Sequence, residues 1–123
     1  VVFDNKIWVI AGELSDSSTR VNDVWYSSDG VNWTQATSSA AFPARNYHSS
    51  VVFNNVMWVI GGCSGSGYFN DVWGSSDGIN WAQPTSSTGF TARYWHSNIV
   101  FNNKMWVIDG SNGPRIHDIW WSN

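Results

Sequence analysis

Apolar residues in this chain fall into short unbroken runs, and the runs come in pairs. Val51-Val52-Phe53 is followed, across Asn54-Asn55, by Met57-Trp58-Val59-Ile60. Neither run alternates apolar with polar, the pattern of strands covered on both faces. Asn tolerates positive φ, so Asn54-Asn55 suits a tight hairpin turn between the two runs. Gly61-Gly62 closes the second run, where a sharp exit needs residues without Cβ. Beyond a Gly- and Ser-rich loop, Val72-Trp73 marks a third strand, Asp77-Gly78 a hairpin turn, and Trp81 a fourth strand. The pattern predicts strand a over 48–53, b over 57–60, c over 71–75 and d over 80–83.

The same words recur elsewhere. Residues 22–49 match 70–97 at an offset of 48, residues 1–12 match 51–62 at 50, and 51–62 match 99–110 at 48. His117–Trp120 repeats Asn70–Trp73. One module is used about two and a half times, and a period near fifty points to propeller blades. The expected fold class is all-β, with β-propeller blades of four antiparallel strands in an incomplete ring. Residues 1–47 form blade one with strand a truncated, 48–95 blade two, and 96–123 a partial blade three lacking strand d. The missing piece corresponds to positions 77–98. The missing blades are expected from the rest of a longer chain, or from other copies joined head to tail. Tryptophan recurs by strand: Trp8, Trp58 and Trp106 in b; Trp25, Trp73 and Trp120 in c; Trp33 and Trp81 in d. Such rings are expected to fill the wedge between twisted sheets rather than to stack on a ligand.

Composition narrows the class. Ten Trp supply ample aromatic area to bury, so the chain is globular. A net charge of −3 with six basic residues argues against a nucleic-acid partner. No apolar run is long enough to span a bilayer. Cys63 is the only cysteine, so no disulfide forms within the chain. Few Lys and many Ser, Asn, Gly and Trp lean toward an extracellular or cell-surface protein. Asn32-Trp33-Thr34 is a glycosylation sequon; the matching Asn80-Trp81-Ala82 is not.

The module resembles a kelch repeat. The residues that carry the likeness are the Arg ahead of strand a (Arg45, Arg93), the Gly pair after strand b (Gly61-Gly62), and Trp73 in strand c followed by Trp81. The Gly pair frays to Ala11-Gly12 in the first module and Asp109-Gly110 in the third. S-S-D-G-x-N-W, at 27–33 and 75–81, also resembles the Asp-box of sialidase-type propellers, but is one residue short and reads as a c–d turn. The kelch resemblance implies that b–c and d–a loops line one face, and that partners bind there. On this chain those loops are 13–21, 63–69 and 111–116, with 36–47 and 84–95. The b–c loops vary in length, and variable loops on a fixed scaffold are where specificity sits.

The expected contacts are Arg45, Tyr47, Tyr68, Phe69, Arg93, Tyr94, Trp95 and Arg115, because aromatic and Arg side chains anchor interfaces and flat rings stack on sugars. Arg20 is a further candidate. A second reading of Arg45 and Arg93, preferred because they repeat, is that each bonds neighbouring carbonyls. His48 and His96 also repeat, which favours a structural job over a metal site. Asp23, Asp71 and Asp118 before strand c, and Asp29 and Asp77 in the turns, read as turn residues. Asp109 with Glu13 is a minor cation candidate. Some kelch-type proteins are copper radical oxidases, but Cys63 and Tyr68 come with no recognisable ligand set. No nucleophile–base pair or phosphate loop is visible. The expectation is a non-catalytic kelch-type module, without cofactor or metal, binding a protein or glycan. The alternatives are a structural assembly subunit and a non-catalytic portion of a larger kelch-type enzyme.

Overall fold

The computed structural model describes residues 1–85 and 88–122, and none of these is helical. The first sheet holds β1 (Val2–Phe3), β2 (Lys6–Glu13), β3 (Arg20–Ser27) and β4 (Thr34–Thr37), paired in that order. The second is built from β5 (Ser49–Phe53) and β6 (Val56–Ile60), then, past the small hairpin β7 (Cys63–Ser64) and β8 (Gly67–Tyr68), from β9 (Val72–Ser75) and β10 (Ala82–Thr85). In the third, β11 (Ser97–Phe101), β12 (Lys104–Ser111) and β13 (Arg115–Trp121) lie side by side. Every neighbouring pair is antiparallel. The first two sheets are four-stranded and the third has three strands among the described residues, the blades of an incomplete propeller.

Packing explains the unbroken apolar runs. Trp8 and Ile10 of the first sheet meet Met57 and Val59 of the second in one core cluster, with Val24, Phe42 and Trp81. Ile60 and Val72, on the other side of the second sheet, meet Phe90 and Val107 in another. The middle sheet is therefore covered twice. In the first sheet the same I-W-V-I run is covered once, so exposure alternates: Ile7 43%, Trp8 6%, Val9 49%, Ile10 6%. The sequence pattern describes the two-sided environment, and β2 displays only one side of it.

Tryptophan does more than fill space. The strand-b indoles Trp8, Trp58 and Trp106 donate from Nε1 to the carbonyls of Phe3, Phe53 and Phe101, at 2.9–3.1 Å, and tie each a–b hairpin shut. The strand-c indoles Trp25, Trp73 and Trp120 each donate at 2.8 Å to the Asp two residues before them. Trp33 stays 40% exposed, unlike its repeat partner Trp81.

Several boundaries move. Strand d begins at Ala82, so Trp81 precedes β10 and lies in the turn. Asp77-Gly78 is not a two-residue hairpin: Gly74 pairs with Ala82, leaving a longer loop between them. Ser75 Oγ accepts from the Gly78 amide, and Asp77 accepts from the amides of Ile79 and Asn80. Ser27 and Asp29 repeat that construction, so both turn aspartates do the job expected of them. The Gly-pair position ends β6 but not β2 or β12, which run on through a bulge. The first residue of that pair has φ near +55° whatever its identity: Ala11 55°, Gly61 55°, Asp109 56°. In the expected 84–95 loop, Ser86 and Ser87 lie outside the described residues, as does Asn123 of the third module.

Candidate functional site

The turn entering strand a has one design in two copies: Arg45-Asn46-Tyr47-His48 and Arg93-Tyr94-Trp95-His96. The arginine points inward. Arg45 is 0% exposed, and its guanidinium forks onto Asp71 at 2.6 and 2.9 Å, with Nη1 also on the Gly61 carbonyl and Nε on that of Pro43. Arg93 is equally buried and repeats the set on Asp118, Asp109 O and Thr91 O. The Arg45 guanidinium carbon lies over the Phe69 ring, 4.3 Å from its centroid. Planar, bidentate and charge-assisted, this geometry locks the loop before strand a to the start of strand c. Asp71 and Asp118 are thus ion-pair partners and not merely turn residues. The Arg93 hydrogen bond holds the Asp118 carboxyl below its usual range. Spacing carried that signal: each Arg has its Asp 25 or 26 residues on.

One residue after the arginine, Asn46 and Tyr94 form bridges to Cys63 and Ser111 at the head of the b–c loop. Asn46 also joins Glu13, Arg20 and the Cys63 thiol, which donates to Asn46 Oδ1 at 3.1 Å. Burial pushes that thiol upward. Glu13 and Arg20, candidates for cation and ligand contact, face each other at 3.4 Å.

At the next position the backbone enters the left-handed region: Tyr47 has φ 53° and Trp95 φ 56°. For a bulky residue this costs of the order of 1 kcal/mol or more and persists only where the surroundings impose it. Here it throws the ring outward. Trp95 is 65% exposed and Tyr47 46%, while Asn46 before Tyr47 and His96 after Trp95 are buried. The Trp95 amide donates to the Tyr47 carbonyl at 3.2 Å, so the two turns are joined side by side. Tyr47 lies 5.3 Å and Tyr94 4.8 Å from the Trp95 ring, and Tyr68 from the b–c loop stacks on Tyr94 at 5.0 Å and 19°. The b–c and d–a loops therefore converge on one patch of four rings. Beside it, Tyr94 and Trp95 share a cleft of ≈ 440 Å³ with Asp109, Arg115 and His117.

Of the expected contacts, Tyr47, Tyr68, Tyr94 and Trp95 come together, with the exposed Arg115 on the cleft. Arg45, Arg93 and Phe69 lie beneath them: the arginines are fully enclosed by the groups just named, and Phe69 is half-buried against Arg45. Nothing in the residue pattern marks positive φ at Tyr47 and Trp95, which is why sequence reasoning found the rings but not their strained setting.

The histidine that closes each turn points inward. His96 Nε2 lies 2.6 Å from Ser49 Oγ on the neighbouring strand a. Burial pushes His48 and His96 down to about 4, each further lowered by its own arginine, Arg45 or Arg93. Between pH 6.5 and 4 the unfolded chain therefore binds protons that the folded chain refuses, and stability falls as pH falls through that window. The depressed carboxylates act elsewhere, losing their contribution only below the usual carboxylate range. Urea midpoints measured from pH 7 to pH 4 should drop steeply; the double variant His48→Gln/His96→Gln should flatten the slope.

Set beside known families, the chain matches the Kelch motif model over residues 44–73, from the Arg45 turn through Trp73. No curated protein matches the chain. The chain carries a kelch motif over these residues, and its all-β antiparallel sheets are those of an incomplete propeller. Such modules commonly bind proteins and are generally non-catalytic. No helix among the described residues is long and apolar enough to cross a membrane.

Proposed function

We propose that this is a binding module whose contact surface is the patch Tyr47, Tyr68, Tyr94 and Trp95, and that its ligand is a protein. The observation that carries this is the pair of exposed rings on left-handed backbone, since strain of that kind collects at ligand contacts. Rigid aromatic side chains also anchor protein interfaces at small entropic cost. Arg115 supplies a charged rim. The arginines Arg45 and Arg93 act as positioning residues, holding the turns that present the rings. A glycan is the second reading, favoured by the wide exposed face of the Trp95 indole.

Arrays of candidate proteins and glycans provide the test. The double variant Tyr47→Ala/Trp95→Ala should lose captured ligand at least tenfold, as removal of aromatic hot spots does, with an unchanged circular dichroism spectrum. Undiminished capture by the variant contradicts the proposal. Arg93 is kept intact in this test, because its loss disturbs the fold as well.

A further inference from the structure

The rings of the patch differ from most other aromatics of the chain in what they leave unused. Seven of the ten indoles donate from Nε1 to a carbonyl or carboxylate within the chain. Trp95 does not, and among the described residues the phenols of Tyr47, Tyr68 and Tyr94 form no hydrogen bond either. Tyr94 is half-buried, yet its hydroxyl stays in reach of solvent. The patch therefore presents four hydrogen-bond donors on four rigid rings.

The backbone beneath the rings is already bonded. Asn46 and Tyr94 exchange amide and carbonyl bonds with Cys63 and Ser111, and the Tyr47 carbonyl accepts from Trp95. A partner strand would find no ladder to join there. The rings also pack on one another. Tyr68 stacks on Tyr94 at 5.0 Å and 19°, and Tyr47 meets Tyr94 at 6.2 Å and Trp95 at 5.3 Å. These contacts close the gap that a cation would need, so the patch is not an ammonium cage. The charges around it are paired: Arg45 with Asp71, Arg93 with Asp118, and Arg20 with Glu13. What remains is a neutral surface of apolar faces and donors. Its complement is neutral, flat-sided and rich in acceptors. The outward placement belongs to the turn itself, since Tyr47 has the Trp95 turn against it and is still 46% exposed.

A polyproline II segment has those properties. It forms no internal hydrogen bonds, so its carbonyls are free, and proline has no N–H to compete for them. Its pyrrolidine rings lie flat on aromatic faces, the mode by which aromatic-lined surfaces take such segments. Successive residues rise about 3.1 Å, so the steps of 5.0 Å from Tyr68 to Tyr94 and 6.2 Å from Tyr94 to Tyr47 each span about two residues. We infer that the patch recognises a proline-rich segment of its protein partner in the polyproline II conformation, an inference that rests on the patch being the binding surface. The phenol and indole donors take the carbonyls of that segment, and the ring faces take its prolines.

The probe is decaproline, capped at both ends and titrated calorimetrically into the protein. Saturable binding that weakens at least about fivefold in the variant Tyr47→Phe/Tyr68→Phe/Tyr94→Phe supports the inference. That variant keeps every ring and loses three donors, each contributing a factor of about two to ten. Affinity should change less than about twofold between about 0.05 and 0.5 M salt, because no ion pair forms. Absence of binding, a smaller loss in the phenylalanine variant, or a stronger dependence on salt overturns the inference. The arrays separate it from the reading beneath it. If decaproline fails to bind while Tyr47→Ala/Trp95→Ala still abolishes capture on the arrays, the polyproline inference falls and the patch stands. If that variant captures undiminished, both fall.

Discussion

Arg45→Ala should destabilise the protein by about 3–5 kcal/mol, the usual cost of stripping one partner from a buried ion pair. The substitution leaves the Asp71 carboxylate, only 13% exposed, without its counter-charge, and removes the donor to Gly61 O. It also uncovers the Phe69 ring that the guanidinium rests on. Arg93→Ala should cost less, because Asp118 is 35% exposed and water can take the place of the lost donor. The double variant Arg45→Met/Asp71→Leu should recover most of the loss, since removing both charges abolishes the uncompensated one. Urea unfolding of the four proteins checks all of this. A single-variant cost below about 1 kcal/mol would show the pair to be a surface-like contact.

Gly78→Ala should cost about 2–4 kcal/mol and Gly30→Ala only about 1 kcal/mol, although the two glycines are repeat equivalents with nearly the same backbone. Their φ values are 76° and 77°, so the conformational penalty for a residue with a side chain is shared. The surroundings differ. A methyl at Gly78 would overlap the Trp8 ring, whereas at Gly30 the nearest atom, Ile7 Cδ1, is 3.9 Å away. Trp8 is locked by its bond to Phe3 O and by the core around it, so it cannot yield without overpacking. The difference between the two variants isolates the sheet-to-sheet contact from the backbone term. Equal unfolding free energies would mean that the turn does not bear on Trp8.

What the residue pattern revealed, and what it hid, follows from how far each signal reaches. The strands were legible because Val51-Val52-Phe53 and Met57–Ile60 report two covered faces, and the three-dimensional exposure of Ile7 and Val9 shows the same code with one cover removed. The Trp ladder was legible because it recurs in register. Strand d was placed two residues early, because Trp81 is apolar as a strand residue is, yet it serves as a plug in the turn. The arginines illustrate the other limit. Repetition pointed to a structural job, but the partners Asp71 and Asp118 lie on a strand 25 or 26 residues away, and a local reading assigned them to turns. The ring patch was half visible. Aromatic residues in variable loops named Tyr47, Tyr68, Tyr94 and Trp95, while their convergence depends on left-handed backbone at residues that rarely adopt it.

That backbone supplies the decisive measurement, the unfolding free energy of Trp95→Gly. If the exposed indole is held for a ligand and not for the fold, relief of positive-φ strain offsets the lost ring contacts. Stability should then stay within about 1 kcal/mol of the parent while ligand capture collapses. A loss of about 3 kcal/mol or more, the cost of deleting a core aromatic, would show that Trp95 is packing, and that the patch is not a binding surface.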